Sequence, residues 1–374
     1  MKNSIKKILI AHSSNDNYGA SKVLISIIDI FINNGFEVHL ILPNNGPLDY
    51  NKTIKKTKLT IIELGVFRKK YFSLFGLINR FYYIIKSSLF IMNYFKKNKI
   101  DIVYINTSTI ISPAIASKFN KIRTIYHIHE IPSRNSVYFK FIVTFLNNFS
   151  KDIICVSKSV YDFWVKVGLK KNKAKIIYNG FIFDETIRKR QNEDKLVFTS
   201  ISRIIPYKGH ALLIELFEML CKKNEKFYLQ IIGDTLPQYQ KYLDKLKLDV
   251  KNRGLVNKIK FLGYRNDVKS ILENSSFFVH TPIHPDPFPT VIFEAIQAKI
   301  PIITNRQGGA YEILNNGKNG LIINNDSILH SIQLISNYIY NQKLQKENVE
   351  LAFDYVCKNF SFGEFRKKIL KIIE

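Results

Sequence analysis

Apolar residues in this chain cluster in two alternating lengths. Short runs rich in Ile, Val, Leu and Phe, bounded by polar or glycine-containing turns, have the character of buried strands. In the first half they fall at 7–11, 37–42, 60–63, 101–106, 124–128 and 153–157. Between them, at 21–33, 74–97, 111–119 and 137–148, apolar positions recur with the three-to-four-residue spacing of a helix. The rhythm restarts after Lys175, with strands expected at 195–202, 227–233, 259–263, 277–281, 301–304 and 320–323 and helices such as 209–223 and 238–251. Alternation of strand and helix predicts a parallel sheet wrapped by helices, here twice over: an α/β chain of two doubly wound, Rossmann-like domains. The turn Tyr178-Asn179-Gly180 marks the joint, dividing the chain into 1–178 and 179 onward. Ligands of such sheets gather beyond the carboxyl ends of the strands, so the expected site is a crevice between the domains.

Length agrees with two domains, since 374 residues exceed one ordinary core. Cys155, Cys221 and Cys357 are far apart with no CxxC, which argues against a disulfide framework or zinc site and fits a reducing cytosol. The opening MKNSIKKILIAHSSN reads as a first buried strand rather than a signal peptide. No uninterrupted apolar run reaches membrane-spanning length; the nearest, 81–95, is broken by Lys86, Ser87, Ser88 and Asn93. Charge changes the picture more. The chain carries 56 Lys and Arg against 30 Asp and Glu, a net of +26. Residues 1–180 hold 28 basic and 9 acidic residues (+19), leaving 28 and 21 (+7) for the remainder. The first half is therefore expected to meet something anionic, either nucleic acid or an anionic membrane face.

The segment 280–312, HTPIHPDPFPTVIFEAIQAKIPIITNRQGGAYE, concentrates the candidate chemistry. It reads as loop, helix, strand and glycine loop, with Asp286 at the lip of the crevice and Glu294 in the first turn of the helix. A helix start favours a phosphate through its free N–H groups and dipole, and carboxylates on either side would hold hydroxyls of whatever carries that phosphate. Glu294 sits among Val291, Ile292, Ala295 and Ile296, where a carboxylate needs a partner or a hydroxyl to accept from. Arg203 and Lys208, in SRIIPYKG just past a strand, are placed to neutralise a diphosphate leaving group, although a solvated surface pair is the bland alternative. Gly19 opens a helix after the first strand and permits close backbone approach, weakly on its own. His127 and His129 alternate on one strand and share a face, while Glu130 points to the other. Metal binding there would need further ligands; one histidine lining the crevice as a sugar-hydroxyl partner and one packed against the sheet is the better reading. His280 and His284, stiffened by Pro282 and Pro285 beside Asp286, read as packing. The stretch 68–99 mixes basic residues with aromatics, among them Phe72, Phe75, Phe81, Tyr82, Tyr83 and Phe90; it suits an interfacial helix on an anionic membrane or a packing helix with a solvated basic face.

With these motifs in order, the chain resembles the family 4 glycosyltransferases, the retaining group with the GT-B fold. The likeness rests on GA after the first strand, DIVYINTS, HE after a later strand, VSKSV, YNG at the joint, SRIIPYKG, GY-x-x-D at 263–267, the acid pair, GG-x-x-E at 308–312 and NG at 319–320. It implies two Rossmann-like domains facing a central crevice: an acceptor-binding domain over 1–178, a nucleotide-sugar domain over 179–358, and a final helix over 359–374 crossing back to the first. It implies that Arg203 and Lys208 bind the donor diphosphate, Glu294 the ribose hydroxyls, Asp286 the donor sugar near its reacting carbon, and that His129 is the crevice histidine. Gly19, Thr290 and Val291 complete the expected donor contacts. Two departures stand out. The family usually has Glu at the first acid position, one methylene longer than Asp286, and its E-G-F-G is D-P-F-P here. Pro289 has no N–H for a phosphate, leaving that contact to Thr290 and Val291.

The expectation is a retaining hexosyltransferase using a nucleoside-diphosphate sugar as co-substrate, with no cofactor and no metal. The basic first domain points to a lipid-linked glycan acceptor at the inner membrane face, as in bacterial capsule or O-antigen polysaccharide assembly. The chain is expected to be cytoplasmic and peripherally membrane-associated, and not to bind nucleic acid, since no motif for that is visible. The rivals are a sugar-nucleotide epimerase or a phosphorylase of the same fold, and a non-enzymatic basic binder.

Overall fold

A computed structural model describes residues 5–67, 73–132, 137–183 and 195–374. It separates into two compact units, Met1–Gly180 with Phe362–Glu374, and Phe181–Ser361. Residues 68–72, the start of the basic-aromatic stretch and including Phe72, lie outside the described residues.

The first unit runs β1 (Lys7–Ala11), α1 (Gly19–Ile32), β2 (Glu37–Leu42), β3 (Lys58–Ile61), α2 (Leu74–Asn98), β4 (Ile102–Ile105), α3 (Ser112–Phe119), β5 (Arg123–Ile128), α4 (Val137–Phe149), β6 (Asp152–Cys155), α5 (Lys158–Lys166) and β7 (Ala174–Ile176). Among the described residues its strands form one parallel sheet in the order β3-β2-β1-β4-β5-β6-β7. The apolar run of β1 is explained by helices on both faces: Ile8, Leu9, Ile10 and Ala11 are all fully buried. Strand β7 has no counterpart in the pattern reading, because three residues at a sheet edge carry too few apolar positions to show a period.

The chain ends in α13 (Phe362–Ile373), whose Phe365, Ile369, Ile372 and Ile373 enter the core of the first unit beside Leu24, Ile28 and Phe31 of α1. That spacing is one helical face. Arg123 holds its carboxyl end, donating to the carbonyls of Ile372 and Ile373 while paired with Asp152 at 2.9 Å. A cation on the final carbonyls of a helix satisfies acceptors that the helix itself leaves open.

The second unit runs β8 (Leu196–Ile201), α6 (His210–Lys223), β9 (Phe227–Ile232), α7 (Gln240–Asn252), β10 (Ile259–Gly263), α8 (Val268–Glu273), β11 (Phe277–His280), α9 (Thr290–Gln297), β12 (Ile302–Asn305), α10 (Gly309–Ile313), β13 (Leu321–Ile323), α11 (Ile328–Tyr340) and α12 (Gln342–Asn359). Its parallel sheet has the order β10-β9-β8-β11-β12-β13. Phe198 stacks on Phe277 at 4.9 Å and meets Phe217 edge-on, tying β8, β11 and α6 into one core.

Each sheet reverses its strand order once, between β1 and β4 in the first unit and between β8 and β11 in the second. Loops leaving the carboxyl ends of those strands diverge to opposite faces and open a notch, where ligands of such folds bind.

Candidate active site

At the notch of the second unit, the loop after β8 carries Arg203 and Lys208 and the loop after β11 carries Asp286. Lys208 reaches its place through a short helical turn, Pro206–Lys208, and Gly209 then takes a left-handed conformation (φ 75°) before α6 begins. A Cβ on Gly209 would lie 1.9 Å from the carbonyl oxygen of Thr281. Only glycine lets the two loops come this close.

The loops meet in an ion pair between Lys208 Nζ and Asp286 Oδ2. Asp286 is buried, with 10% of its side chain exposed against 23% for Lys208. Burial pushes the Asp286 carboxyl up, but the Lys208 ammonium and the neighbouring His280 outweigh it and hold the group well below the usual carboxylate range. His280 Nε2 stands 3.3 Å from Asp286 Oδ2 without the alignment of a hydrogen bond. Burial lowers its pKa while Asp286 opposes that shift.

The backbone of Asp286 is clamped from behind. Asp286 and Gly308 form an isolated parallel bridge, and Gly309 N–H donates to the Asp286 carbonyl at 2.8 Å. Gly308 has φ 83°, and a Cβ there would meet the Asp286 carbonyl oxygen at 2.1 Å. The double glycine therefore acts as a backing plate that fixes where the carboxylate points.

Helix α9 starts at Thr290 with Pro289 in extended conformation as its cap, and no side chain caps it. Glu294 is consequently the fifth residue of the helix and lies in its second turn, not the first as expected: proline fixes φ and keeps the residue before it extended, so the helix begins only after Pro289. Glu294 is half-buried. The N–H groups of Thr290 and Val291 belong to the helix start, which lacks intrahelical acceptors for them.

His127 and His129 share a face, their ring centroids 4.2 Å apart. His127 is fully buried and bonded through Nδ1 to Tyr104 Oη at 2.7 Å, with its pKa pressed down to about 3 by burial. His129 follows the end of β5 and is only partly exposed; burial first, then His127 and His12, keep it neutral far below its usual range. Its Nε2 lies 2.8 Å from Asn106 Oδ1, at the end of β4. Glu130 turns away to Thr107 and Ser108, where its carboxylate accepts from both hydroxyls and from two backbone N–H groups. Gly19 is the first residue of α1. Among the described residues, no cluster of three or more His, Cys, Asp or Glu side chains is arranged to hold a metal ion.

The structure thus brings Lys208, Asp286 and Gly308 together, and places Arg203, Thr290, Val291 and Glu294 on neighbouring loops and the helix of the same unit. Three residues of the first notch, His12, Asn106 and Asp16, carry no assignment from sequence. The available signal was position: His12 and Asn106 each stand one residue past a strand that borders the reversal.

The chain is similar to known proteins over most of its length. The family profile for glycosyl transferases group 1 matches residues 183–352, and that for glycosyltransferase family 4 matches residues 18–185. An Escherichia coli UDP-Gal:alpha-D-GlcNAc-diphosphoundecaprenol alpha-1,3-galactosyltransferase is 26% identical over 354 residues, 86% of each chain. The GPI3 subunit of a Saccharomyces cerevisiae phosphatidylinositol N-acetylglucosaminyltransferase is 22% identical over 266 residues, 67% of this chain, which spans only 57% of that relative's length. Among solved structures, Anabaena HepE in complex with UDP and glucose superposes with a TM-score of 0.82 at 22% identity, covering 98% of this chain and 99% of its own. The fold is of the GT-B type, two parallel-sheet Rossmann-like domains. With matched segments running almost end to end, the chain belongs to the family 4, or group 1, glycosyltransferases.

Proposed function

We propose that this protein is a retaining, metal-independent glycosyltransferase. It would move a hexose from a nucleoside-diphosphate sugar to a lipid-linked glycan during assembly of a bacterial surface polysaccharide. The observation that carries the reading is the Lys208–Asp286 pair at the sheet reversal of the second unit, held by loops whose glycines admit no side chain. An ammonium has three N–H bonds. One engages Asp286, and the others are available for phosphate oxygens.

In this reading Lys208, Arg203 and the N–H groups of Thr290 and Val291 meet the charge that grows on the departing diphosphate. Glu294 accepts from the ribose hydroxyls. Asp286 touches the donor sugar near its anomeric carbon. Within the first unit, His129 is the proposed partner of a sugar hydroxyl, and Gly19 is the proposed point of close backbone approach. The anomeric carbon–phosphate oxygen bond breaks, the acceptor oxygen bonds on the same face, and its proton passes to a donor phosphate oxygen. Support for the substrate classes comes from the E. coli relative, whose name gives a UDP-sugar donor and a diphosphoundecaprenol-linked acceptor, and from HepE, solved with UDP.

The test is to incubate the protein with a panel of sugar nucleotides, with and without polyprenol-diphosphate-linked sugar acceptors, in the presence of EDTA. Acceptor-dependent release of nucleoside diphosphate with retained anomeric configuration is expected. Altered sugar nucleotide without release would instead mark an epimerase, phosphate-dependent release of sugar phosphate would mark a phosphorylase, and loss of turnover in EDTA would end the metal-independent claim.

We also propose that the first unit rests on the anionic inner face of the cell membrane, making the protein peripheral and cytoplasmic. No helix among the described residues is long and apolar enough to cross a membrane. Helix α2 instead exposes Phe75, Ile78, Phe81, Tyr82, Ile85 and Leu89, at spacings that keep them near one stripe. An apolar stripe in a half-chain of net charge +19 suits an anionic interface. Co-sedimentation with anionic and neutral liposomes across a salt series tests it: salt-sensitive preference for anionic vesicles is expected, and equal binding to both removes the claim. A gel shift with duplex and single-stranded nucleic acid should show none of the salt-dependent binding a basic nucleic-acid binder would give.

A further inference from the structure

The notch of the first unit contains an unbroken line of side-chain hydrogen bonds from β5 to the start of α1. His129 Nε2 lies 2.8 Å from Asn106 Oδ1, Asn106 Nδ2 lies 3.1 Å from His12 Nδ1, His12 Nε2 lies 3.2 Å from Ser21 Oγ, and Ser21 Oγ lies 2.8 Å from Asp16 Oδ1. His12, Asn106 and Ser21 are essentially shielded from solvent.

Both ends of this line fix its direction. Asn106 Nδ2 also faces the Ala20 carbonyl at 3.4 Å, and a carbonyl only accepts, so the amide nitrogen belongs on that side and its oxygen faces His129. At the far end, the Asp16 carboxylate accepts from Tyr18 N–H at 3.1 Å and therefore takes the Ser21 proton as well. Ser21 then offers a lone pair to His12 Nε2–H, with Ser14 Oγ at 3.3 Å as a second, longer acceptor. His12 Nδ1 is left to accept from Asn106. Every bond points the same way, so each donor polarises the next in surroundings of low dielectric.

From this geometry we infer that Asn106, His12, Ser21 and Asp16 form a positioning line that holds His129 in the single tautomer with its proton on Nε2 and its lone pair on Nδ1. Asn106 is the decisive member, because it alone touches both histidines of the line. The line hands the charge of a carboxylate at the α1 terminus, three residues from Gly19, to the imidazole after β5. His129 then has one acceptor nitrogen to offer a hydroxyl, with the hydrogen already committed elsewhere. The consequence for turnover rests on the transferase reading above; the tautomer does not.

The test combines long-range ¹H–¹⁵N correlation spectra of the full chain labelled at histidine, assigned with His129→Gln and His12→Gln, with steady-state kinetics. Wild type should show His129 and His12 each protonated only at Nε2. Asn106→Leu, close in volume and unable to hydrogen bond, should turn the His129 pattern into a mixture of tautomers. It should also lower kcat roughly 10- to 100-fold while KM for the sugar nucleotide changes little, as misdirection of a reacting group does. Asp16→Ala changes a partly exposed position and guards against misfolding of the first variant; it should shift the His12 pattern by releasing the Ser21 proton. A wild-type His129 protonated at Nδ1, or patterns unchanged in both variants, overturns the inference. A lost tautomer with unaltered kcat overturns the positioning role. Failure of every sugar nucleotide to react would instead sink the transferase reading and leave the spectra to decide the line.

Discussion

The two notches of this protein arise from the same strand-order reversal yet are opposite in chemistry. In the second unit the notch is ionic: Lys208 against a buried Asp286, with Arg203 and a helix start close by in the same loops and glycines pressed on backbone carbonyls. In the first it is neutral: two histidines and an asparagine in a line of hydrogen bonds, whose one carboxylate lies at the far end. The reversal supplies a place where loops part and nothing more. On the transferase reading proposed above, what is built there follows the job, since an ionic notch suits a charged diphosphate and a neutral one suits hydroxyls that must be aimed without being pulled apart from their protons.

The sharpest way to break this contrast is Lys208→Ala. On the proposed reading, in which this charge faces the leaving group, turnover should fall by about 100-fold or more. The melting temperature should fall too, since Asp286 is left buried beside an empty place. Adding Asp286→Asn should restore much of the stability and none of the turnover. Recovery of both would make the pair structural only.

Next in size is Gly308→Ala. The new Cβ would sit 2.1 Å from the Asp286 carbonyl oxygen in a left-handed backbone conformation, costing about 1–3 kcal/mol in strain alone. Thermal unfolding should show a drop of several degrees. Gly363→Ala, inside α13 where nothing lies within 4 Å, should leave the melting temperature unchanged or slightly raised.

The third concerns protons. His210, bonded to Ser202 Oγ at 3.1 Å, has its pKa lowered to about 4 by burial and then by Lys208. A histidine depressed from 6.5 to about 4 binds fewer protons folded than unfolded between those values. Its contribution is fully present above 6.5 and is lost as pH falls toward 4. Urea midpoints measured from pH 7 to 4 should therefore decline, and His210→Gln should flatten that slope by up to about 1.4 kcal/mol per pH unit. An unaltered slope would mean that His210 is charged in the folded protein.

The smallest effect belongs to the exposed face of α2. Phe81, 65% exposed, and Ile78, 61% exposed, should tolerate change to Ser within about 0.5 kcal/mol, while liposome binding falls. A large loss of stability would show that the stripe packs against protein.

Much of this was legible from the order of residues. Strands such as β1, β2 and β10 and the long helix α2 follow the apolar period closely, because burial on two faces or one leaves a direct mark on composition. Arg203, Lys208 and Asp286 were placed by their position past strand ends. Glu294 was misplaced by one helical turn, because the stop and start of a short helix depend on where Pro289 lets the backbone turn. Asp16 carried no signal and His12 only that of its position past β1, since their meaning comes from Asn106, some ninety residues away in sequence.

By itself, then, the sequence settled the alternation of elements, the parallel class of both sheets and which loops carry charge, all of which depend on local period and residue type. Only the tertiary structure decided which charge neutralises which, that the double glycine backs Asp286, and which way the protons of His12 and His129 point. Those are matters of ångströms between segments distant in the chain, and no local preference encodes them.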